Sequence, residues 1–282
     1  MINPKQRTLG GEKTLEGIGV HSGEFATLTM KPSGSGGIRF RRIDLEGQPE
    51  IPADLDHVVG TDLGTNLGSG DAVVLTVEHV MAALSASSID NAIIEISGPE
   101  LPIFDGSFKY YFDAILDMDP IDLNEPTKVL EIQEPLGISP CSGTTYLASP
   151  AEHLRISATI DFEHQTIGHQ FGTFEITEES FKNEIAPART FGFHCDAEEL
   201  YARGLARGAS LENTVVLNDQ GIMNDDLRFK DEFLRHKVGD LIGDLALIGG
   251  RVQGHICSES PSHECNIALA KALKDHVWKG GS

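Results

Sequence analysis

One helical segment of the sequence carries three polar side chains that could take part in chemistry. His236, Asp240 and Asp244 lie at i, i+4 and i+8 within FLRHKVGDLIGDLAL, residues 233–247. Residues four apart lie on the same face of an α-helix, so these side chains stack along one line. A histidine and a carboxylate one turn apart can offer two ligands to one metal ion. Taken alone, the pair favours the simpler alternative of a solvated helix face.

A second segment supplies the other groups that a catalytic metal site needs. Glu78 and His79 stand in TVEHVMAAL, whose apolar residues repeat at helical spacing. Two histidines and one aspartate with an open fourth position are typical of a catalytic zinc site, and an adjacent glutamate can act as the base. Glu78 and His79 each also have a purely structural explanation. A helix dipole favours a glutamate in the first turn, and a buried histidine is usually only hydrogen-bonded. The sequence supports a metal site without proving it.

A further candidate for proton transfer is His263, in the segment SPSHECN before the final predicted helix. A histidine titrates near neutral pH and can therefore donate or accept a proton during a reaction. The alternative is an ordinary surface histidine in a loop.

The elements that must position these residues follow the same order in both halves of the chain. In the first half, runs of alternating apolar residues near the start predict antiparallel strands. Two amphipathic helices come after these strands, at TVEHVMAAL and FKYYFDAILDM. In the second half, strands in KVLEIQEPLGIS and HLRISATIDF precede the helix at 233–247 and a last helix around CNIALAKAL. This pattern predicts an α+β fold in which each half layers a β-sheet on helices, and it suggests a duplicated unit.

Length and composition favour two similar domains. The chain has 282 residues, which exceeds one typical domain of about 100–150 residues. Residues 119–128 hold two prolines and are acidic and poor in apolar residues, so we interpret them as the interdomain linker. We expect domains at residues 1–120 and 129–282. The metal site would lie at their junction, because its ligands come from both halves.

The charge of the chain restricts its partners. A formal net charge of −21 makes nucleic acid and anionic membrane surfaces poor partners. The first residues have no apolar signal-like region, and no stretch reaches the 18 or so apolar residues of a membrane span. We therefore expect a cytoplasmic protein without stable membrane insertion. We also expect it to be a monomer.

The four cysteines form no C-x-x-C pair in this medium-sized chain. This spacing predicts reduced thiols, with neither a disulfide framework nor a structural zinc site.

Several longer motifs resemble those of one enzyme family. They are KTLEGIGVHSGEFATLTMKP, TVEH, IDNAIIEISGPELPIFDGS, ARTFGF, LRFKDEFLRHKVGDLIGDLALIG and HECN. In this order, from about residue 5 to residue 275, they resemble the UDP-3-O-acyl-N-acetylglucosamine deacetylase (LpxC) family of the lipid A pathway. The resemblance implies a Zn²⁺-dependent amidase that removes the N-acetyl group from UDP-3-O-(3-hydroxyacyl)-N-acetylglucosamine and releases acetate.

The resemblance also implies a role for individual residues. It places the metal ligands at His79, His236 and Asp240, the general base at Glu78, the histidine acid at His263, the partner of that histidine at Asp244, and an oxyanion-binding hydroxyl at Thr190. It places the diphosphate contact at Lys237, the uridine contacts at Asp161 and Phe162, and the acyl passage at Phe191 and Phe193. This passage would belong to a βαβ insert of the second domain, at about residues 191–216.

Two positions depart from the family pattern, and two other functions stay open. Ser262 stands where the family commonly has glycine, and His194 stands where it usually has an apolar residue. One alternative function is a zinc amidase acting on another acylated sugar nucleotide. The other is a non-catalytic sugar-nucleotide-binding homologue. Glu78 and His263 argue against a pure binding protein, since binding needs neither a base nor an acid.

Overall fold

The computed structural model describes residues 4–224 and 226–279 of the chain. These residues form six α-helices: α1 (Glu78–Ala86), α2 (Lys109–Leu116), α3 (Glu178–Ser180), α4 (Ala197–Ala202), α5 (Glu232–Ala246) and α6 (His263–Lys279). The strands, in chain order, are β1 (Lys5–Thr8), β2 (Lys13–Ile18), β3 (Phe25–Pro32), β4 (Ile38–Arg42), β5 (Glu50–Pro52), β6 (Val58–Gly60), β7 (Asn66–Ser69), β8 (Ala72–Val74), β9 (Ala92–Ile96), β10 (Ile121–Pro126), β11 (Val129–Glu131), β12 (Leu136–Cys141), β13 (Thr144–Ser149), β14 (Leu154–Asp161), β15 (His169–Glu175), β16 (Phe191–Phe193), β17 (Val215–Asn218), β18 (Gly221–Ile222) and β19 (Arg251–Glu259). The predicted α+β class is confirmed.

The helices expected from apolar periodicity are present. Helix α5 begins and ends within one residue of the predicted 233–247, and its apolar residues Leu234, Val238, Leu241 and Leu245 are buried. Their spacing puts all four on one face, which packs into the core. Among the described residues, no helix has the length and apolarity that a membrane crossing requires.

The first half of the chain builds a five-stranded sheet in the order β2-β3-β9-β4-β5. Strand β9 lies in the middle, antiparallel to β3 and parallel to β4. Alternate residues of β3, namely Ala26, Leu28 and Met30, are buried while their neighbours are partly exposed. One face of this sheet therefore packs on the core, and the other faces outward.

The second half builds a sheet with the same arrangement, in the order β12-β13-β19-β14-β15. Its middle strand β19 is antiparallel to β13 and parallel to β14, as β9 is to β3 and β4. Strand β11 adds to β19 in parallel. The repeated order that the sequence suggested is therefore matched by the strand topology. The division into domains at 1–120 and 129–282 stays a prediction.

The segment expected to be an interdomain linker is largely a strand. Strand β10 lies within residues 119–128 and pairs antiparallel with β1, so that Arg7 faces Asp122 and Thr8 faces Ile121. Its acidic, proline-containing composition suits an edge strand that pairs on one side only. This segment is thus held to the first strand of the chain, and its role as a linker stays a prediction.

Helices α1 and α5 pack against each other, and this contact joins the two halves. Two glycines of α5, one turn apart, allow close packing, Gly243 against α1 and Gly239 against Phe108, the residue before α2. A Cβ at Gly239 would lie 2.3 Å from the Phe108 ring, and one at Gly243 would lie 2.1 Å from the Glu78 carbonyl oxygen. No side chain fits at such distances, so both positions require glycine for this packing.

Residues 191–222 form a small three-stranded sheet, in the order β16-β17-β18. Strands β16 and β17 pair in parallel, α4 lies between them in the chain, and β18 returns antiparallel to β17. The assignment of residues 191–216 as an insert stays a prediction.

The expectation that all four cysteines are reduced thiols is wrong for two of them. Cys141 and Cys265 form a disulfide across 124 residues of chain, while Cys195 and Cys257 are free. The fold brings the end of β12 beside the first turn of α6, with 6.2 Å between the two Cα atoms. Sequence spacing alone could not show this proximity.

Candidate functional site

Three potential metal ligands from both halves of the chain meet in the core. His79 lies in the first turn of α1, and His236 and Asp240 lie one turn apart on α5. Their potential ligand atoms all lie within 4.8 Å of one another. All three residues are at most 3% exposed. Charged and polar side chains are rarely buried this deeply unless they are paired with another group. The packing of α1 on α5 is what assembles this cluster.

The hydrogen bonds of the cluster leave ligand atoms free. The Nδ1 atom of His236 donates to the Ala188 carbonyl at 3.1 Å, and its Nε2 atom lies 3.4 Å from Asp240 Oδ1. Within the described part of the chain, His79 Nδ1 and Asp240 Oδ1 have no hydrogen-bond partner. A histidine that donates one ring N–H to a carbonyl and points its other ring nitrogen into the cluster is typical of a metal ligand. The donor set of two imidazoles and one carboxylate suits zinc.

The protonation states also suit metal binding. Burial lowers the pKa of His79 to about 3, and it lowers the pKa of His236 as well. Burial raises the pKa of Asp240, but His236, Lys237 and His263 lower it more, so the net pKa lies below its usual range. Neutral imidazoles and an ionised carboxylate are the forms that bind metal ions.

Glu78 lies beside this cluster with properties of a general base. Its side chain is buried, and its Oε2 atom accepts a hydrogen bond of 2.8 Å from the backbone N–H of Thr65. Burial raises the pKa of Glu78 to about 7, against the opposing effect of His263. A carboxyl group with a pKa near neutrality can accept a proton and release it again during turnover.

His263 and Asp244 form a hydrogen-bonded pair next to the cluster. The ring Nδ1 atom of His263 lies 2.9 Å from Asp244 Oδ2, and its Nε2 atom lies 3.8 Å from Asp240 Oδ2. Burial lowers the pKa of His263, but the carboxylates of Asp244 and Asp240 raise it by more than burial lowers it. The net pKa of His263 is about 9. The histidine is therefore a cation at neutral pH and can donate a proton.

The residues predicted to bind substrate are only partly brought together. The rings of Phe162, Phe191 and Phe193 form one cluster, with centroids of Phe162 and Phe191 5.7 Å apart and of Phe162 and Phe193 6.1 Å apart. Phe191 also approaches His236, at 6.5 Å between centroids. The aromatic cluster therefore begins next to the candidate metal ligands.

Three other predicted substrate residues have different surroundings. The Nζ atom of Lys237 donates to Asp240 Oδ2 at 3.2 Å. Asp161 is exposed at the end of β14. The backbone N–H of Thr190 donates to the Gly106 carbonyl, and no hydrogen bond among the described residues joins its hydroxyl to the cluster. The roles assigned to these residues stay predictions.

Sequence reasoning missed several residues that shape the site. The Phe108 ring packs on both candidate imidazoles, 4.6 Å from His79 and 5.0 Å from His236 between centroids. Asn266 donates to Asp244 Oδ2 at 2.9 Å and accepts from the Tyr146 hydroxyl at 2.6 Å. Asn266 lies three residues after His263, so helical spacing could have found it. No sequence signal pointed to Phe108.

The two departures from the family pattern have plain structural settings. The Ser262 hydroxyl accepts from the Cys265 N–H at 3.4 Å, so the serine caps the first turn of α6 next to His263. His194 is exposed and lines an open cavity of about 120 Å³ with Phe193 and Leu217. Neither departure prevents His79, His236 and Asp240 from lying together.

Comparison with known proteins gives a consistent result. The family model of UDP-3-O-acyl N-acetylglycosamine deacetylase (LpxC) matches residues 6–275. A Geobacter sp. (strain M21) protein is 42% identical over 270 residues, covering 95% of this chain and 88% of that protein. A Chlamydia caviae protein is 44% identical over 277 residues, covering 97% and 98%, and a Thermosynechococcus vestitus protein is 40% identical over 275 residues, covering 97% and 95%. Each is named UDP-3-O-acyl-N-acetylglucosamine deacetylase.

Proposed function

The chain belongs to the UDP-3-O-acyl-N-acetylglucosamine deacetylase (LpxC) family, and on this basis we propose that His79, His236 and Asp240 hold a zinc ion for its reaction. The reaction is hydrolysis of the N-acetyl amide of UDP-3-O-acyl-N-acetylglucosamine, which releases acetate in lipid A synthesis. The observation that carries the proposal is the buried cluster of three ligand atoms within 4.8 Å of one another. A bound zinc ion would supply Lewis-acid activation of water and of the amide carbonyl.

Glu78 acts as the general base of this reaction. Water attacks the carbonyl carbon of the N-acetyl group while Glu78 takes one of the water protons. The buried position of the carboxyl and its pKa of about 7 support this role, because the group is ionised in a large fraction of molecules at neutral pH. The bond between Thr65 N–H and Oε2 holds the carboxylate in place.

His263 acts as the general acid. The amide C–N bond breaks only if the nitrogen gains a proton, because an amine anion is a very poor leaving group. His263 donates this proton from Nε2, and acetate and the free amine are formed. Asp244 holds the Nδ1 atom of His263 at 2.9 Å and favours the cationic ring. Acid–base assistance of this kind contributes roughly 10²–10⁴ in rate.

Oxyanion and substrate contacts complete the proposal. The Thr190 hydroxyl and the His263 cation stabilise the negative charge that develops on the carbonyl oxygen. Lys237 contacts the diphosphate, and Asp161 and Phe162 contact the uridine. Phe191 and Phe193 line the passage for a 3-hydroxyacyl chain, whose burial gives about 0.8 kcal/mol per CH₂ before ordering costs.

We also propose the domain organisation that places this site. The domains span residues 1–120 and 129–282, with an insert at about 191–216. His79 on α1 and His236 on α5 support a site at the domain junction.

The test is acetate release by chelator-stripped protein, with and without one equivalent of zinc. The substrate is UDP-3-O-(3-hydroxyacyl)-N-acetylglucosamine, and the expected result is release that depends on added zinc. His236→Gln should bind less zinc and release less acetate, while His153→Gln, an exposed histidine, should match the unsubstituted protein. Release that persists in metal-free protein would contradict the metal assignment. Release only from a different acylated sugar nucleotide would favour the related amidase, and binding without any release would favour the non-catalytic homologue.

A further inference from the structure

Thr65 lies between the proposed base and the partner of the proposed acid. It precedes β7 in the first half of the chain and is fully buried. Its backbone N–H donates to Glu78 Oε2 at 2.8 Å. Its hydroxyl donates to Asp244 Oδ1 at 2.5 Å, and the same oxygen lies 3.3 Å from His263 Nδ1. One residue thus contacts the proposed base, the proposed acid and the carboxylate that holds the acid.

The hydroxyl of Thr65 restricts the orientation of Asp244. Oδ1 of Asp244 accepts from Thr65, while Oδ2 accepts from His263 and from Asn266. Donors on both oxygens fix the plane of the carboxylate, because rotation would break bonds on both sides. Since Asp244 only accepts, the proton of this bond is on His263 Nδ1, and the ring turns Nε2 towards Asp240. Loss of the Thr65 hydroxyl would free one side of the carboxylate.

The backbone of Thr65 restricts the base. Its N–H occupies one oxygen of Glu78, and among the described residues no hydrogen bond reaches the other oxygen, Oε1. The carbonyl of Thr65 accepts from Val77 N–H at 3.0 Å, just before α1 begins. The loop is therefore fixed by backbone bonds that do not need the side chain. Removing the hydroxyl alone should leave the loop and the bond to Glu78 in place.

We propose that Thr65 is a positioning residue for the deacetylation, which holds Asp244, and through it His263, in register with Glu78. This inference rests on the proposed function of these residues. It adds a contact from the first half of the chain to a histidine–carboxylate pair that belongs wholly to the second half.

The kinetic test compares Thr65→Val with Thr65→Ser. Valine removes the hydroxyl and keeps the branched shape and the N–H, whereas serine keeps the hydroxyl. We expect kcat to fall about tenfold in Thr65→Val, with KM within about twofold and zinc content unchanged. Thr65→Ser should keep most of kcat. A rise in KM with kcat intact would overturn the proposal, and so would an unchanged kcat in Thr65→Val. If Thr65→Val does not fold, Thr65→Ala tests the same point, since it places no methyl beside Asp244.

A second measurement does not depend on activity. In zinc-loaded protein labelled with ¹⁵N-histidine, the Nδ1 proton of His263 bonded to a carboxylate gives a downfield NMR signal, which His263→Gln removes and thereby assigns. We expect this signal to move or broaden in Thr65→Val and to stay in place in Thr65→Ser. An unchanged signal in Thr65→Val would overturn the proposal even if the unsubstituted protein released no acetate. Absence of acetate release would contradict the proposed function, while the NMR signal would still test the role of Thr65.

Discussion

Gly243 of α5 packs directly on the backbone of Glu78, and a Cβ at position 243 would lie 2.1 Å from the Glu78 carbonyl oxygen. The contact fixes the distance between the helix that carries the proposed base and the helix that carries Asp240 and Asp244. Neither helix can shift without moving a proposed catalytic group.

Gly243→Ala should therefore separate α1 from α5. Overpacking of this kind destabilises a protein by roughly 1–3 kcal/mol, and the shift should lower acetate release further by displacing Glu78. Denaturant unfolding and the acetate assay measure the two effects. Gly34→Ala is the control, because a Cβ there meets nothing within 4 Å. Equal stability of the two variants would show that the helix contact is looser than the structure indicates.

Glu78→Gln should lower turnover severely and preserve metal binding. The amide keeps the shape of the side chain and can still accept from Thr65 N–H, but it cannot take a proton from water. We expect kcat to fall by roughly 10²–10⁴, with zinc content unchanged. Acetate release and metal analysis on the same sample measure both. Glu264→Gln, at an exposed position of α6, should keep the original rate. Persistent turnover in Glu78→Gln would remove Glu78 from the role of base.

A charged network on the outer face of the first sheet should make stability depend on pH. The Glu95 carboxylate accepts from Lys31 Nζ and Arg41 Nη1, each at 2.8 Å. Burial raises the pKa of Glu95, but these two cations lower it more, so its net pKa lies below the usual value. A carboxyl with a lowered folded-state pKa adds stability above its unfolded pKa, about 4.3, and that stability disappears as the pH falls through the folded pKa.

Glu95→Gln should consequently destabilise the protein at pH 7 by about 1–2 kcal/mol and by less near pH 3. Urea unfolding at the two pH values provides the measurement. Glu12→Gln is the matched control, because Glu12 lies 3.9 Å from the same lysine and its side chain is 60% exposed. The same deficit for Glu95→Gln at both pH values would argue against a charge effect.

Thiol titration should distinguish the cysteines. Denatured protein that has not met a reductant should react at two cysteines, Cys195 and Cys257, and reduced protein at all four. Because the Cys141–Cys265 bridge closes 124 residues, the chain-entropy model gives it about 4–5 kcal/mol of stability. Cys265→Ala should therefore lower the melting temperature in oxidised protein, and Cys257→Ser should not. Four reactive thiols without reductant would rule the bridge out.

Local features of the fold were predictable from the sequence, and long-range ones were not. The apolar spacing in α1 and α5 determines which face each helix buries, so both helices are predictable from the sequence. The pairing of β10 with β1 and the bridge from Cys141 to Cys265 join residues more than a hundred positions apart. No local pattern encodes such contacts, because they depend on how the sheets and helices are assembled.

The same contrast holds for the candidate site. Residue types and helical spacing indicated His79, His236 and Asp240, and the structure brings them together. The family resemblance was confirmed by the comparisons. Thr65 and Phe108 were missed because a threonine before a strand and a phenylalanine before a helix are unremarkable in sequence. Their importance arises only from the side chains that surround them.

The position of β19 in its sheet has a consequence for how the protein folds during synthesis. Strands β13 and β14 do not pair with each other; each pairs with β19, which leaves the ribosome about a hundred residues later. The first sheet has the same delay on a smaller scale, since β9 must enter between β3 and β4. Central strands that arrive late leave the earlier strands with unpaired edges in the nascent chain. The second half is therefore exposed to aggregation for longer than the first, and it is the half in which a chaperone would be needed most.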